Sequence, residues 1–357
     1  MRLKHLKTLA AAAAAALAVG LGQTAVHAQA VEKEMVIATV GGSFEQALIQ
    51  YFYTPFEKAA GTTVVPVAVE MPDQWARARA MSQSGKMEFD IVTATAPDLI
   101  QNREILAKID CAALPDIAKN GVKGACTEYG VIRTIGGMVL AYNTKALGDK
   151  QPSGWKDFFD VQNFPGPRSL PDTGDREWWV PVAALAADGV AADKMFPLDL
   201  NRAYKKLDQI KPHIAVWWKS GGQIQQILRN NEAVMVMSYS GRAVQLVNEG
   251  LPISLTWGQA IPDIGYMAVM KQAPHPKAAM AYLDFFYKNS AENHLGFVQK
   301  VFYDTGSAQV APLVTPERRK LMATVPENWD AQLKPDYAWI GANRDMLRER
   351  WVAWLTK

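Results

Sequence analysis

Apolar and polar positions along most of this chain come in alternating blocks. Short β-prone apolar runs, each closed by Gly, Ser or Thr, precede segments whose apolar residues recur at helical spacing. Residues 34–40 read as a buried strand that runs into Gly41-Gly42-Ser43, and 44–60 as a helix that stops near Gly61. The next strand is 62–69, followed by a helix over 74–85, a short strand over 89–93 and a helix over 97–108. This alternation predicts the α/β class, with a mostly parallel sheet flanked by helices.

A strand over 137–142 opens a second region, which continues through Trp155-Lys156-Asp157-Phe158-Phe159, the turn at Pro165-Gly166 and a further β/α succession to Trp257. From Tyr266 the pattern changes: a strand over 266–270 leads to a helix with Ala279, Tyr282, Leu283 and Phe286 on one face. The last helix, about 337–355, lines up Ile340, Leu347, Trp351 and Trp354, a stripe read as packing.

The segment from His213 to Arg242 carries the most functional information. Residues 214–217 form an apolar β-prone run, Ser220-Gly221-Gly222 suits the start of a helix, and 233–239 is long enough for a buried strand. In an open α/β sheet, strand carboxyl ends and the helix N-termini that follow face one crevice. Trp217, Trp218, Tyr239 and Arg242 are therefore candidates to line it; the competing reading puts the Trp pair in the core and Arg242 in solvent.

Composition changes this picture mainly through its first thirty residues. Arg2, Lys4, His5 and Lys7 precede an alanine-rich run, and small residues offer cleavage after Ala28 or Ala30, the pattern of a secretory signal peptide over 1–28 (or 1–30). Residues 1–28 carry three of the 38 Lys+Arg and none of the 35 Asp+Glu, leaving a formally neutral mature chain. A nucleic-acid partner is thereby disfavoured, because no basic stripe remains. An exported, soluble chain of about 330 residues has room for two lobes. Cys111 and Cys126 then sit where disulfides persist, in a turn-rich segment, and a bridge between them is expected, with two free buried thiols as the alternative.

Catalytic patterns are thin. Of the five histidines only His213, His275 and His294 lie beyond the leader, far apart and without metal-ligand spacing. Gly41-Gly42-Ser43 lacks the Gly-Lys-Ser/Thr ending of a phosphate loop, and no Gly-x-Ser-x-Gly elbow occurs. Asp172, Asp175 and Glu177 cluster before Trp178, which also suits a helix start. No catalytic residue, metal or cofactor is assigned. Aromatic strand ends, helix starts and isolated charges are the parts of a cleft that orients a small solute.

With these residues in view, the chain resembles the periplasmic solute-binding proteins of ABC importers, in the spermidine/putrescine-binding branch. The resemblance covers the whole mature chain. Its markers are Phe89-Asp90-Ile91-Val92, Leu140-Ala141-Tyr142-Asn143-Thr144, Trp155-Lys156-Asp157-Phe158-Phe159, Val216-Trp217-Trp218-Lys219-Ser220-Gly221, Ser238-Tyr239-Ser240-Gly241-Arg242 and Arg350-Trp351-Val352-Ala353-Trp354-Leu355. It implies two α/β lobes, each a mostly parallel sheet, joined by crossing strands: 31–138 with 265–304, and 139–264 with 305–357. It also implies a periplasmic monomer that closes on a small-molecule ligand and delivers it to a membrane permease.

Carried over by position, the resemblance puts Tyr239 where relatives have a pocket Trp and Glu177 where they have an amine-binding acid. Thr95 falls near a polar contact and Tyr303 at a pocket Tyr. Two departures bear on the ligand. Gly265 stands where a central Asp is usual, and Gly42, Ser43 and Phe44 stand where polyamine binders offer Trp and an acid. Asp263 could substitute for the missing acid, and Tyr266 adds a nearby aromatic. The first ligand reading is a polyamine or other amine held by Glu177 and Asp263. The second is a zwitterion or carboxylate whose anionic end meets Gly42-Ser43 or Arg242. A remote third is an exported hydrolase or transferase using Ser43 or Ser240 with a distant His.

Overall fold

In the computed structural model, which describes residues 32–174, 176 and 178–357, the strands assemble into one mixed sheet. The signal-peptide reading, Asp175 and Glu177 lie outside the described residues. The strands are β1 (Glu34–Thr39), β2 (Thr63–Ala68), β3 (Ile91–Ala94), β4 (Val131–Asn143) and β5 (Arg168–Pro171). They continue as β6 (Ile214–Trp218), β7 (Met235–Tyr239), β8 (Ile253–Val269) and β9 (Asp304–Thr305). Their order is β2-β1-β3-β8-β4-β7-β5-β6, with β9 beside β4.

The flanks of this sheet are parallel, β1 with β2 and β3 on one side and β5 with β6 and β7 on the other. Its centre is antiparallel: the long strands β4 and β8 pair with each other, β8 also pairs with β3 on one flank and β4 with β7 on the other. The first part of β4 pairs with β8 from Val131↔Met267 to Met138↔Ile261, and its last part with Ile253 to Thr256, across a register shift after Met138. The sequence pattern broke β8 after Trp257 and restarted it at Tyr266. Pro262, Asp263 and Gly265 interrupt the apolar run there, yet the ladder with β4 continues through them.

Local chemistry explains the other differences. The helix read over 97–108 ends at Gln101, where the Asn102 side-chain amide donates to the Asp98 carbonyl and competes with the backbone ladder. A 3-10 turn, Arg103–Ile105, follows. The last helix divides at Asn343 into Tyr337–Ala342 and Arg344–Leu355, and Ile340, Leu347, Trp351 and Trp354 are all buried on it. The helix read over 44–60 is continuous but changes pitch. An α segment Gly42–Leu48 passes through a π turn, Ile49–Tyr53, into Thr54–Ala60, which stops at Gly61 in the left-handed region (φ 67°). Gly41 and Gly42 take φ of 68° and 64° where β1 turns into that helix, a path that disfavours any side chain.

Two apolar clusters hold the parts together. One packs helix Pro276–Lys288 on the helix over 42–60 through Phe52, Phe56, Tyr282 and Phe286. The other surrounds the wholly buried helix Trp179–Ala187 and β7. Among the described residues, no helix is long and apolar enough to cross a membrane.

Cys111 and Cys126 are joined, with Cα atoms 5.9 Å apart and a sequence separation of 15. Closing a loop of that length stabilises the fold by about 3 kcal/mol on the chain-entropy model. A Cys111→Ser/Cys126→Ser variant is expected to unfold at lower denaturant, with a slope equal to or steeper than wild type because its unfolded chain is less constrained. Equilibrium urea unfolding measures both quantities.

Candidate ligand-binding cleft

A cavity of about 670 Å³ opens where β1, β3 and β7 end and where β4 and β8 cross between the flanks. Its floor contains the group that sequence reading missed. Arg133 lies in a strand whose residues are all buried, and it is only 5% exposed. Its Nη1 donates to Thr93 Oγ1 at 3.1 Å and its guanidinium stands 5.0 Å from the Phe44 ring centroid. Its Nε has no hydrogen-bond partner, and among the described residues no carboxylate pairs with it. Burial pulls its pKa below the usual guanidinium value, opposed by Tyr53 and Tyr282. An arginine nonetheless stays charged in a protein. A cation buried without a counter-charge costs several kcal/mol, a cost that an anion reaching this site would offset.

The surroundings hold that guanidinium in place. Thr93 N–H donates to Gln74 Oε1 at 3.0 Å, and Gln74 Nε2 returns a bond to the Thr93 carbonyl at 2.7 Å. Thr93 spends its own hydroxyl proton on the Ala38 carbonyl, which leaves its oxygen lone pairs for Arg133. Opposite Thr134 in the ladder stands Gly265. A Cβ there would meet Thr134 Oγ1 at 2.5 Å and approach Arg133 Nη2 to 3.9 Å, so the glycine keeps the face of Arg133 open.

Asp263, two residues earlier on the same strand face, is engaged with a different cation. Arg176 Nη1 reaches its carboxylate at 3.2 Å, and Arg176 Nη2 donates to the Met71 sulfur at 3.1 Å. The Arg176 guanidinium also sits 5.0 Å from the Trp179 ring and 5.9 Å from Tyr239. On the remaining wall, Ser220 caps helix Gly221–Arg229 by accepting from Gln223 N–H. Arg242 packs over Gly221, where a Cβ would be 2.6 Å from its Nε. Tyr303 lies against Gly136 and Gly241, and a Cβ at either would approach its ring to 2.8 and 2.5 Å. Burial pushes the Tyr303 hydroxyl up to about 12; Arg242 and Arg176 pull it down and Asp263 pushes it up.

The cavity brings together Gly42, Ser43, Phe44, Thr95, Tyr239, Arg242, Asp263 and Tyr303. Trp217, Trp218 and Tyr266 lie outside its lining. Trp218 is fully buried and donates its indole N–H to the Met237 carbonyl at 2.8 Å. Trp217 packs on Trp351 and Trp354, with ring centroids 5.7 and 5.9 Å away. Tyr266, 7% exposed, is covered beside Gly130 and Leu99. Arg133, Arg176, Glu70, Lys219 and Thr93 line the cavity without having been read as site residues. The available signal for Arg133 was a lone cation inside Val131-Ile132-Arg133-Thr134-Ile135, an otherwise apolar or β-branched run.

Nothing here resembles a reacting centre. Burial lowers the pKa of His294 to about 4, and its ring is bound to the Phe286 carbonyl and Thr305 Oγ1 in the core. His275 pairs with Asp90. Ser240 Oγ accepts from Gly137 N–H, away from both. Among the described residues, no cluster of His, Cys, Asp or Glu could hold a metal ion.

A two-flanked α/β sheet with a charged cleft at its crossing strands defines a solute receptor. The chain belongs to the bacterial extracellular solute-binding protein family, whose model matches residues 52–324. It is 29% identical over 340 residues to the gamma-aminobutyric acid-binding protein of Pseudomonas aeruginosa, across 93% of this chain and 94% of that one. The solved Atu4243-GABA receptor superposes with a TM-score of 0.80 at 28% identity, over 90% of this chain and 97% of that chain. The putrescine/agmatine-binding protein of Pseudomonas aeruginosa is more distant, 24% identical over 297 residues, 74% of this chain and 77% of that one. The fold is thus the two-lobed α/β binding-protein fold, and the relatives are solute-binding proteins of ABC transporters, not enzymes. The resemblance to a solute-binding family is sustained, whereas its polyamine branch is represented only at a distance.

Replacing Arg133 by Met removes a buried charge that the empty protein does not need. The ligand-free variant is expected to melt at or above the wild-type temperature. Its affinity for a carboxylate ligand should fall about 30-fold or more, the effect of truncating a desolvated charge contact. Thermal melts and calorimetric titration of both proteins check the two halves of this expectation.

Proposed function

We propose that this protein is the periplasmic receptor of an ABC importer for a small amino-carboxylate of the γ-aminobutyrate type. In this reading it acts as a monomer, captures the solute between its lobes and delivers it to a membrane permease. The observation that carries the ligand class is Arg133, a buried cation in the cavity lining with an unpartnered Nε and no described carboxylate partner. A ligand carboxylate supplies the missing counter-charge through charge-assisted hydrogen bonds. The ammonium end then falls to Glu70 or Asp263, the acids among the described lining residues.

A diamine fits this cleft less well. The described lining holds Arg133, Arg176, Arg242 and Lys219 against Glu70 and Asp263, and Asp263 already pairs with Arg176. Two ammonium groups would leave Arg133 unpaired and bring like charge to it. The similarity to a γ-aminobutyric acid-binding protein over nearly the whole of both chains supports the same choice.

In this reading the sheet supplies the hinge for closure. β4 and β8 cross between the flanks, and Gly136-Gly137 of β4 lies opposite Asp263 and Pro262 of β8. We place the hinge there, with lobes 31–138 plus 265–304 and 139–264 plus 305–357. Cleft residues from both lobes then converge as the lobes close.

Calorimetric titration of the leaderless protein with 4-aminobutyrate, putrescine and butyrate tests the ligand class. 4-Aminobutyrate is expected to bind and to raise the melting temperature, butyrate to bind more weakly and putrescine not to bind. Binding of putrescine with no response to either carboxylate would restore the polyamine reading.

A further inference from the structure

The last helix ties the two flanks of the sheet together at a point outside the cleft. Helix Arg344–Leu355 is fixed to the β5–β6 flank by its second half. Trp351 donates to Asp172 at 3.0 Å, Trp354 donates to Asp208 at 2.8 Å, and the Trp354 ring stacks on Tyr204 at 5.6 Å. Its first residue reaches the other way. Arg344 Nη1 donates to the carboxylate of Asp98 and, at 3.2 Å, to Gln101 Oε1. Both acceptors lie on helix Ala96–Gln101, which follows β3 on the opposite flank.

An arginine in the first turn of a helix opposes the helix dipole, so local preference does not account for Arg344. Its tertiary contact does. Asp98 is fully buried at that contact and uses both carboxylate oxygens. One takes Arg344, and the other accepts the Thr95 N–H at 2.8 Å and the Thr95 hydroxyl at 2.6 Å. Thr95 is a lining residue of the cleft. The preceding helix, Tyr337–Ala342, packs closely on Ala96–Gln101, since a Cβ at Gly341 would come within 3.1 Å of Ile100 Cγ2 and 3.4 Å of the Pro97 carbonyl.

We infer that Asp98 is a positioning residue of ligand capture: with Arg344 it forms a clasp between the lobes, and with Thr95 it transmits the state of that clasp to the cleft wall. The inference rests on the two-lobed closure proposed above, with the hinge in β4 and β8. Opening that hinge pulls helix Arg344–Leu355 away from helix Ala96–Gln101, so the ion pair exists only when the lobes approach. Ligand binding and clasp formation then favour the same arrangement, and loss of one weakens the other.

The test measures inter-lobe distance without ligand and with 4-aminobutyrate. Spin labels go on cysteines introduced at exposed Lys86 and Lys205, one on each flank, in a protein whose two native cysteines are both in the disulfide. Arg344→Met is expected to shift the ligand-free distance distribution towards the open form, lowering the closed-to-open ratio about fivefold, the scale of one partly exposed ion pair. The 4-aminobutyrate affinity should weaken by a similar factor, and Arg344→Lys should recover part of both. Because Arg344→Met strands a buried carboxylate, Asp98→Asn/Arg344→Met is measured beside it. The double variant should keep the wild-type melting temperature and still show the open shift. If both Met variants retain the wild-type distance distribution, the clasp is overturned. The ligand-free distances decide this even if wild type ignores 4-aminobutyrate, an outcome that would count against the ligand class alone.

Discussion

The guanidinium of Arg133 is buried under Phe44 and anchored by Thr93, and no described carboxylate answers its charge. Much of the cleft is organised around that imbalance. The Gln74–Thr93 pair of hydrogen bonds fixes the end of β3 so that the Thr93 oxygen can receive Arg133. Gly265 leaves space in front of Nη2, and Asp263 is held at Arg176. A fold that retains a buried, unanswered cation gives up stability at that point, and the natural compensation is a ligand that brings the opposite charge.

The same two strands that present this charge also join the flanks of the sheet. Arg133 and Thr134 lie on β4 and Asp263 and Gly265 on β8, a few residues from the Gly136-Gly137 segment where β4 passes between flanks. On the proposed function, binding and closure are carried by one pair of strands, and a ligand that pulls on Arg133 acts directly beside the proposed hinge. Away from the cleft, the indole N–H groups of Trp351 and Trp354 and the ion pair of Arg344 give the last helix one footing on each flank. In the proposed clasp, that helix responds to the same movement from the outside.

Much of the fold was legible in the residue pattern because parallel flanks leave strong signals: apolar runs ended by glycine or serine, then helical spacing. β1, β2, β6 and β7 fall within a residue or two of their expected places. The crossing strands were harder to see. Their central residues face a cleft rather than a core, so Pro262, Asp263 and Gly265 look like a loop when only hydrophobicity is followed. The site was legible in part for a related reason. Tyr239, Arg242 and Ser43 stand where a strand passes into a helix, a position that suggests a crevice, whereas Arg133 sits inside β4 in an apolar or β-branched run. The Trp217-Trp218 pair misled because aromatic residues near a strand end serve equally well as packing. One is covered by the last helix and the other is sealed against Met237.

The central claim is that Arg133 receives the carboxylate of the ligand, and a crystal structure of the protein grown with 4-aminobutyrate tests it most directly. The account predicts a carboxylate oxygen about 2.8 Å from a guanidinium nitrogen of Arg133, with the ammonium group turned towards an acidic side chain of the cleft. A ligand whose carboxylate lies elsewhere, leaving Arg133 without an anionic partner, would contradict it.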